Sequence, residues 1–471
     1  MRLWPNGPVF QQRDFLRLWA AQAVSAIGAR ITRTALPVIA VLSVDASPIA
    51  LGVLVTVAVG PSVIVSLAIG GVVDRSRKRP LLVTADLVRA VAVFSLPVAA
   101  WTGWLTMAQL YAVAAVVGIG TAVFQIADNA YLPALLAEEH LVTGNSTIEA
   151  TEAVAEIAGP SLAGLLIQAL TAPIAVVIDA LSYLASAVLL GSIRKVESPA
   201  AVEESPSVWR DIGLGFGASL GDPLVRPLLL ATAMATFSGG AFAALYMIYL
   251  LTELGLNVAT VGVVIAMGGV GSLIGALGSA PMTRRLGLGP ALFLFLLLAE
   301  AAGLLIPVAS ASQPTWLVLG FLFGHQLLAD GLAVAFMVQS VSLRQRVLPL
   351  EVLGRSNAAF QAVNGVALPI GALATGALAG VVGVRSALWI SMSAALVAPA
   401  LLLPLWRVRA FPDRAGSGSA LAGLAAAGLT GPASTAPAGL TAGLTEPAGP
   451  GPAPDPAGPK VPPAGPGRPG S

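Results

Sequence analysis

The chain has 471 residues, 56% of them hydrophobic and only 10% charged, against roughly 25% charged in soluble domains, and its mean hydropathy is +0.86. That composition excludes a soluble globular domain and predicts a polytopic membrane protein. The formal charge is only +2, and with no cysteine and only His140 and His325 as histidines the chain has no disulfides or thiolate sites and offers little for a metal.

Apolar runs of about 20 residues, enough to cross a ~30 Å hydrocarbon core, predict membrane helices in chain order. Arg2, Arg13 and Arg17 flank the first run and no small-residue cleavage site follows it, so the N-terminus reads as retained. The first group comprises Leu16 to Val44, Ile49 to Val73, Leu81 to Trp101, Thr106 to Ala127, Ser146 to Leu170 and Pro173 to Ile193. Residues 194–222 are too charged to insert, with Glu197, Glu203, Glu204, Arg210 and Asp211, and read as a cytoplasmic central linker. The second group comprises Leu224 to Leu251, Val258 to Met282, Pro290 to Ala311, Trp316 to Val341, Asn357 to Val382 and Ser386 to Leu405. The expected fold class is an all-α membrane protein with twelve transmembrane helices in two six-helix halves, residues 1–193 and 223–408. Residues 409–471 turn to Pro, Gly, Ala, Ser and Thr, a composition that cannot bury a core and predicts a disordered cytoplasmic tail.

Charge sets the expected sidedness. Gly70-Gly71-Val72-Val73-Asp74-Arg75-Ser76-Arg77-Lys78-Arg79-Pro80 must lie in water, and the positive-inside rule assigns it to the cytoplasm. Of the 25 Lys and Arg, Arg30, Arg33 and Arg89 fall in the interior of predicted spans and Arg385 at an outside end; the rest fall in termini, in loops or at span ends on the side of that run. Both termini are then expected in the cytoplasm. The two groups also resemble copies: at an offset of 210, Gly52-Val53 falls on Gly262-Val263 and Asp74-Arg75 on Arg284-Arg285; at 209, Pro160 falls on Pro369.

Six plus six spans, a central linker and the run from Gly70 to Pro80 together resemble the major facilitator superfamily, whose signature between spans two and three is G-x-x-x-D-R-x-G-R-K. Gly70, Asp74, Arg75, Lys78 and Arg79 match, and Arg77 stands where glycine is usual. Phe15 to Trp19, Ala35-Leu36-Pro37, Gly159-Pro160, Ile178 to Tyr183 and Gly354-Arg355 are similar to the bacterial branch of siderophore exporters and macrolide-type efflux proteins. The resemblance implies that Asp74 and Arg75 latch the first half to the start of span eleven, near Gly354 and Arg355, when the cytoplasmic side is closed; the alternative is a simple anchor of positive charge. Gly159, Pro160 and Gly164 resemble, imperfectly, the antiporter motif of span five, where Pro bends a helix and Gly permits close packing.

Buried charge supplies the remaining candidates. Glu149, Glu152 and Glu156 share one face of span five and Arg30 and Arg33 one face of span one; such residues must meet partners or a wet cavity. Glu152 and Glu156 are candidates for proton coupling, with a structural partnership to arginine as the alternative, and Arg30 and Arg33 are expected to pair with Glu152, Glu156 or Asp45 or to meet an anionic substrate. Asp86 and Arg89 read as an i, i+3 structural pair, while Asp128, Asp179, Glu300, His325 and Asp330 are weaker candidates. Phe237, Phe242, Tyr246 and Phe321 are candidates for the wall of a substrate cavity.

No ATP-binding loop and no nucleophile-base set occurs, so the expectation is no enzyme and no cofactor, with energy from an ion gradient. The function expected is proton-coupled export of hydrophobic or amphipathic small molecules, such as drugs, by a monomer in the bacterial inner membrane. Its partners are substrate, protons and lipid, with no nucleic acid. The alternatives are a siderophore or metabolite exporter and, in another class, a non-transporting receptor or scaffold.

Overall fold

The computed structural model of the chain describes residues 8–195 and 208–411, and of residues 8, 66–75, 208–211, 350 and 351 the backbone alone. Among the described residues, twelve helices are long and apolar enough to cross a membrane. In the first half they are span 1 (Arg13–Ser43), span 2 (Pro48–Arg75), span 3 (Lys78–Thr102), span 4 (Met107–Leu135), span 5 (Glu138–Leu170) and span 6 (Ala172–Gly191). In the second they are span 7 (Val225–Glu253), span 8 (Val258–Leu286), span 9 (Leu288–Val308), span 10 (Thr315–Val347), span 11 (Leu350–Val382) and span 12 (Val384–Leu405).

Several helices outrun their apolar cores. Span 5 has 33 residues, about 50 Å at ~1.5 Å per residue against a core of about 30 Å. It therefore begins eight residues before the expected Ser146, at Glu138. Hydropathy marks only the stretch in hydrocarbon, whereas helical hydrogen bonding continues into the polar layer.

Part of the expected linker is a helix, Val208–Gly221, docked on span 11. Gly215 lies against the backbone of Arg355, and the hydroxyls of Ser219 and Ser356 share a 2.8 Å hydrogen bond. Glycine and small residues allow this approach, which the acidic residues preceding them disguise in a hydropathy reading. At the other end, Leu288 and Gly289 N–H groups donate to the carbonyls of Arg409 and Val408 at 3.2 and 2.8 Å, so the chain stays docked through its first residues after span 12. Residues 412–471 of the expected tail lie outside the described residues.

Two seams join the halves, span 5 on span 8 and span 2 on span 11. The repeat-equivalent Gly52 and Gly262 occupy corresponding places: Gly52 meets the Ala372 backbone, and a Cβ on Gly262 would stand 2.9 Å from Gly164 Cα. Pro160 and Pro369, also repeat-equivalent, present their carbonyls at the two seams, Pro160 to Gly262 and Pro369 to the Thr56 hydroxyl at 3.4 Å.

Apolar packing distinguishes the two ends of the molecule. At the end away from the basic loops one continuous cluster unites the halves, running through Ile39, Leu51, Val176, Leu250, Val258, Ile306 and Leu388. At the basic end each half keeps its own cluster, around Phe15, Leu132 and Leu190 in the first and Leu292, Leu343 and Leu402 in the second. Among the described residues, buried apolar packing thus joins the halves at one end and stays within each half at the other.

Candidate functional site

Spans 1 and 5 pack side by side, which turns two helical stripes toward each other. Arg30 donates to Glu152 Oε2 at 3.1 Å and lies 2.5 Å from Glu156 Oε2, while Arg33 reaches Glu156 Oε1 at 3.7 Å. Gly159 makes the arrangement possible, since a Cβ there would come within 2.5 Å of the Arg30 Cβ. The motif glycine therefore lets span 5 close on Arg30. Glu152 and Glu156 retain 45% and 43% of their side-chain exposure and Arg33 69%, so this cluster is wet even though it lies within the spans.

The water reaches it through a cavity of about 850 Å³ whose walls come from the first half. Arg30, Arg33 and Ser62 lie at its inner end, and Pro133, Asn145 and Glu149 at its basic-loop end. Because the halves are fused at the opposite end, the cavity opens between the basic loops. Its lining mixes apolar surface with many polar side chains, Gln22, Gln125, Asp128 and Asn129 among them. Gln22 Nε2 donates to Asp128 Oδ1 at 2.5 Å, tying span 1 to span 4.

A second network lies deeper. Asp86 and Arg89 form a buried salt bridge as their spacing predicts. The Arg89 guanidinium lies over the rings of Phe124 and Tyr183, 4.7 and 4.4 Å from their centroids, and donates to Thr121 Oγ1 at 3.3 Å. Asp179 of span 6 is fully buried, accepts from Ser182 Oγ at 3.1 Å and sits under Gly28 of span 1, where any side chain would strike it. Span 6 thus carries Asp179, a weaker candidate by sequence, into the packed interior.

The four aromatic candidates do not line this cavity. Phe242 stacks on Tyr246 at 4.4 Å, both rings approach His325 at 5.6 and 6.0 Å, and Tyr246 belongs to the apolar cluster that fuses the halves, with Phe242 and Phe321 packed against it. Phe237 is 37% exposed and its carbonyl abuts Gly371. Closure at this end draws the rings into packing, where they fill space. His325 is buried with Nδ1 3.1 Å from the Ala302 carbonyl, and no side-chain bond of Glu300 or Asp330 to a described residue is formed.

The side chains of Gly70, Asp74 and Arg75 lie outside the described residues. Lys78 Nζ donates to the Ser76 carbonyl at 3.1 Å, and Arg79 donates to the carbonyls of Leu190 and Gly191 at the end of span 6, satisfying orphan acceptors of a helix terminus. Among the described residues nothing comes within 4 Å of a Cβ placed on Gly354, and Arg355 supplies backbone to the linker helix. The antiporter-motif residues Gly159, Pro160 and Gly164 lie on span 5 facing Arg30 and span 8.

Residues missed in the sequence were Gln22 and Ser25, which line the cavity with Arg30, Thr32 and Arg33. A signal was present: polar side chains recur every three to four residues along an otherwise apolar span 1.

Residues 18–343 match the family described as Major Facilitator Superfamily. Macrolide efflux protein A of Streptococcus pyogenes is 24% identical over 391 residues, covering 81% of this chain and 93% of that protein. An uncharacterized MFS-type transporter, YfiS of Bacillus subtilis, is 24% identical over 393 residues, covering 81% and 90%. Among solved structures, the nucleoside transporter NupG superposes with a TM-score of 0.70 at 12% identity, covering 84% of this chain and 99% of that one. A bacterial homologue of the iron transporter ferroportin in an inward-facing state superposes with a TM-score of 0.65 at 20% identity, covering 83% and 99%. The chain belongs to the major facilitator superfamily and is a multi-pass membrane transporter of that fold.

Proposed function

We propose that the protein is a proton-coupled exporter of amphipathic small molecules, drugs among them, working by alternating access in the bacterial inner membrane. The observation that carries this reading is the polar cavity closed at one end by the shared apolar cluster and open between the basic loops. With those loops cytoplasmic, as the positive-inside rule favours, this is the inward-facing state, ready to load substrate from the cell. The similarity to a macrolide efflux protein supports the drug class, and the salt-bridged acids at the head of the cavity supply groups whose pairing a proton can change.

Drug accumulation in cells with and without the protein, each with and without a protonophore, tests the function. Lower accumulation in carrier cells, abolished by the protonophore, is expected; equal accumulation in carrier and empty-vector cells overturns the drug reading. Glu156→Gln is expected to weaken proton-driven export while sparing exchange of bound substrate across the membrane. Export unchanged in that variant removes Glu156 from coupling.

A second reading, export of an acidic metabolite or siderophore, is favoured by Arg33, whose guanidinium is 69% exposed and held by one long contact of 3.7 Å. A ligand-stabilisation screen of the purified protein against antibiotics and siderophores separates the two.

A further inference from the structure

The central charges of the first half balance among themselves. Arg30 and Arg33 are matched by Glu152 and Glu156, a neutral set of four. One more carboxylate faces this set from the second half. Gly269 of span 8 meets Ile157, the neighbour of Glu156, while the adjacent Gly268 leaves room for the Asp330 carboxylate, so Asp330 of span 10 lies within electrostatic range of Glu156 and Arg33. The five groups together carry one surplus negative charge at membrane depth, where an uncompensated charge is expensive.

We propose that Asp330 is the carboxylate that holds the coupled proton, and that Arg33 moves between Glu156 and Asp330 as that proton comes and goes. This rests on the transport reading above. With the proton on Asp330 the cluster is neutral and Arg33 stays with Glu156. When Asp330 releases its proton it becomes the better partner for Arg33, whose contact with Glu156 is long and whose side chain is largely exposed. Glu156 stays engaged through Arg30 at 2.5 Å, so the exchange leaves no arginine without an acid. The ion pair so formed joins span 1 to span 10, one half to the other.

The surroundings of Asp330 fit this role. No described residue gives it a hydrogen bond or ion pair, yet the Tyr246 hydroxyl of span 7, only 3% exposed as a residue and without a hydrogen-bond partner, lies within reach of its charge. Gln326, one turn earlier on span 10, likewise has an unpartnered buried Oε1, an acceptor for a protonated carboxyl. Span 8 offers glycines here, His325 is turned to Ala302, and Glu300 of span 9 is not among the charges that reach Asp330. Proton exchange at this place therefore changes the local charge by a full unit, and Arg33 is the exposed cation placed to answer it.

The absence of cysteine gives a clean test. Val142→Cys and Met282→Cys, both at exposed positions near the basic-loop ends of spans 5 and 8, carry spin labels that report opening of the cavity in the purified full chain reconstituted in nanodiscs. A pH-dependent shift between a long and a short distance is expected. Asp330→Asn should abolish the shift and fix one distance, Asp330→Glu should restore it, and Glu156→Gln should keep a transition. If Asp330→Asn titrates as the parent does, the assignment fails while the transport reading stands. If the parent distance ignores pH altogether, proton coupling fails with it.

Discussion

The two halves share a helix order and differ in how they use charge. In the first, Arg30, Arg33, Glu152 and Glu156 form a wet ion-pair cluster, and Asp86, Arg89 and Asp179 a buried one. In the second, the corresponding interior is aromatic and apolar around Phe242, Tyr246 and Phe321, with Asp330 and Glu300 as isolated acids. The seams keep the repeat, with Gly52 and Gly262 and Pro160 and Pro369 in equivalent roles. Positions related by the sequence offset thus meet at the seams, while the chemistry inside the two halves differs. A rigid seam and an asymmetric interior suit a machine that rocks two bodies about one loaded wall.

The sharpest way to break this comparison is to remove the first half's charge pairing. Arg30→Met leaves Glu152 and Glu156 with only Arg33 near them. Breaking a fully buried pair costs about 3–5 kcal/mol, and the exposure of both glutamates lets water screen this one, so the expected loss lies below that range. Thermal unfolding in detergent reads it, and the double variant Arg30→Met with Glu156→Gln should recover part of the loss. Equal melting of Arg30→Met and the parent would show that the cluster adds nothing to stability.

The seams can be tested next. Gly262→Val places a branched side chain against Pro160 and Gly164, and overpacking of this kind costs about 1–3 kcal/mol. The cost falls on the state sealed at this end, so single cysteines placed in the seam should gain reactivity with membrane-impermeant thiol reagents added outside cells. Unchanged labelling would mean that the seam tolerates the bulk. Gly52→Val in the other seam should act in the same direction, because it occupies the equivalent place.

The smallest effect concerns the turn that closes each half's last helix pair. Thr171, between spans 5 and 6, has φ 79° and ψ 154°, and Gly383, between spans 11 and 12, has φ 85° and ψ 158°. That region suits glycine alone, and a β-branched residue held there is strained by roughly 1–3 kcal/mol. Thr171→Gly should therefore raise the melting temperature by a few degrees with transport unchanged. A fall would show that the threonine side chain makes up the strain elsewhere.

Much of the architecture was legible because bilayer thickness imposes it: apolar runs of the right length, interrupted by basic loops, leave few alternatives to membrane helices. The pairing of Arg30 with Glu152 and Glu156 was also within reach, since spacing places each set on one face and hydrocarbon forbids leaving them alone. The linker helix was hidden by acidic neighbours. The aromatic residues of spans 7 and 10 were read as a cavity wall, but whether a ring lines space or fills it depends on which end of the molecule is closed.

Composition and charge order, then, determined by themselves that this chain spans a membrane many times and which residues cannot face lipid. Only the tertiary structure decided that, among the described residues, apolar packing fuses the halves at one end and stays within each half at the other, and that Asp330 sits against span 8 beside the glycine that meets Ile157. The physical reason is that solvation acts on each segment separately, whereas the meeting of distant segments depends on glycine-lined seams that set how closely and at which end the helices approach.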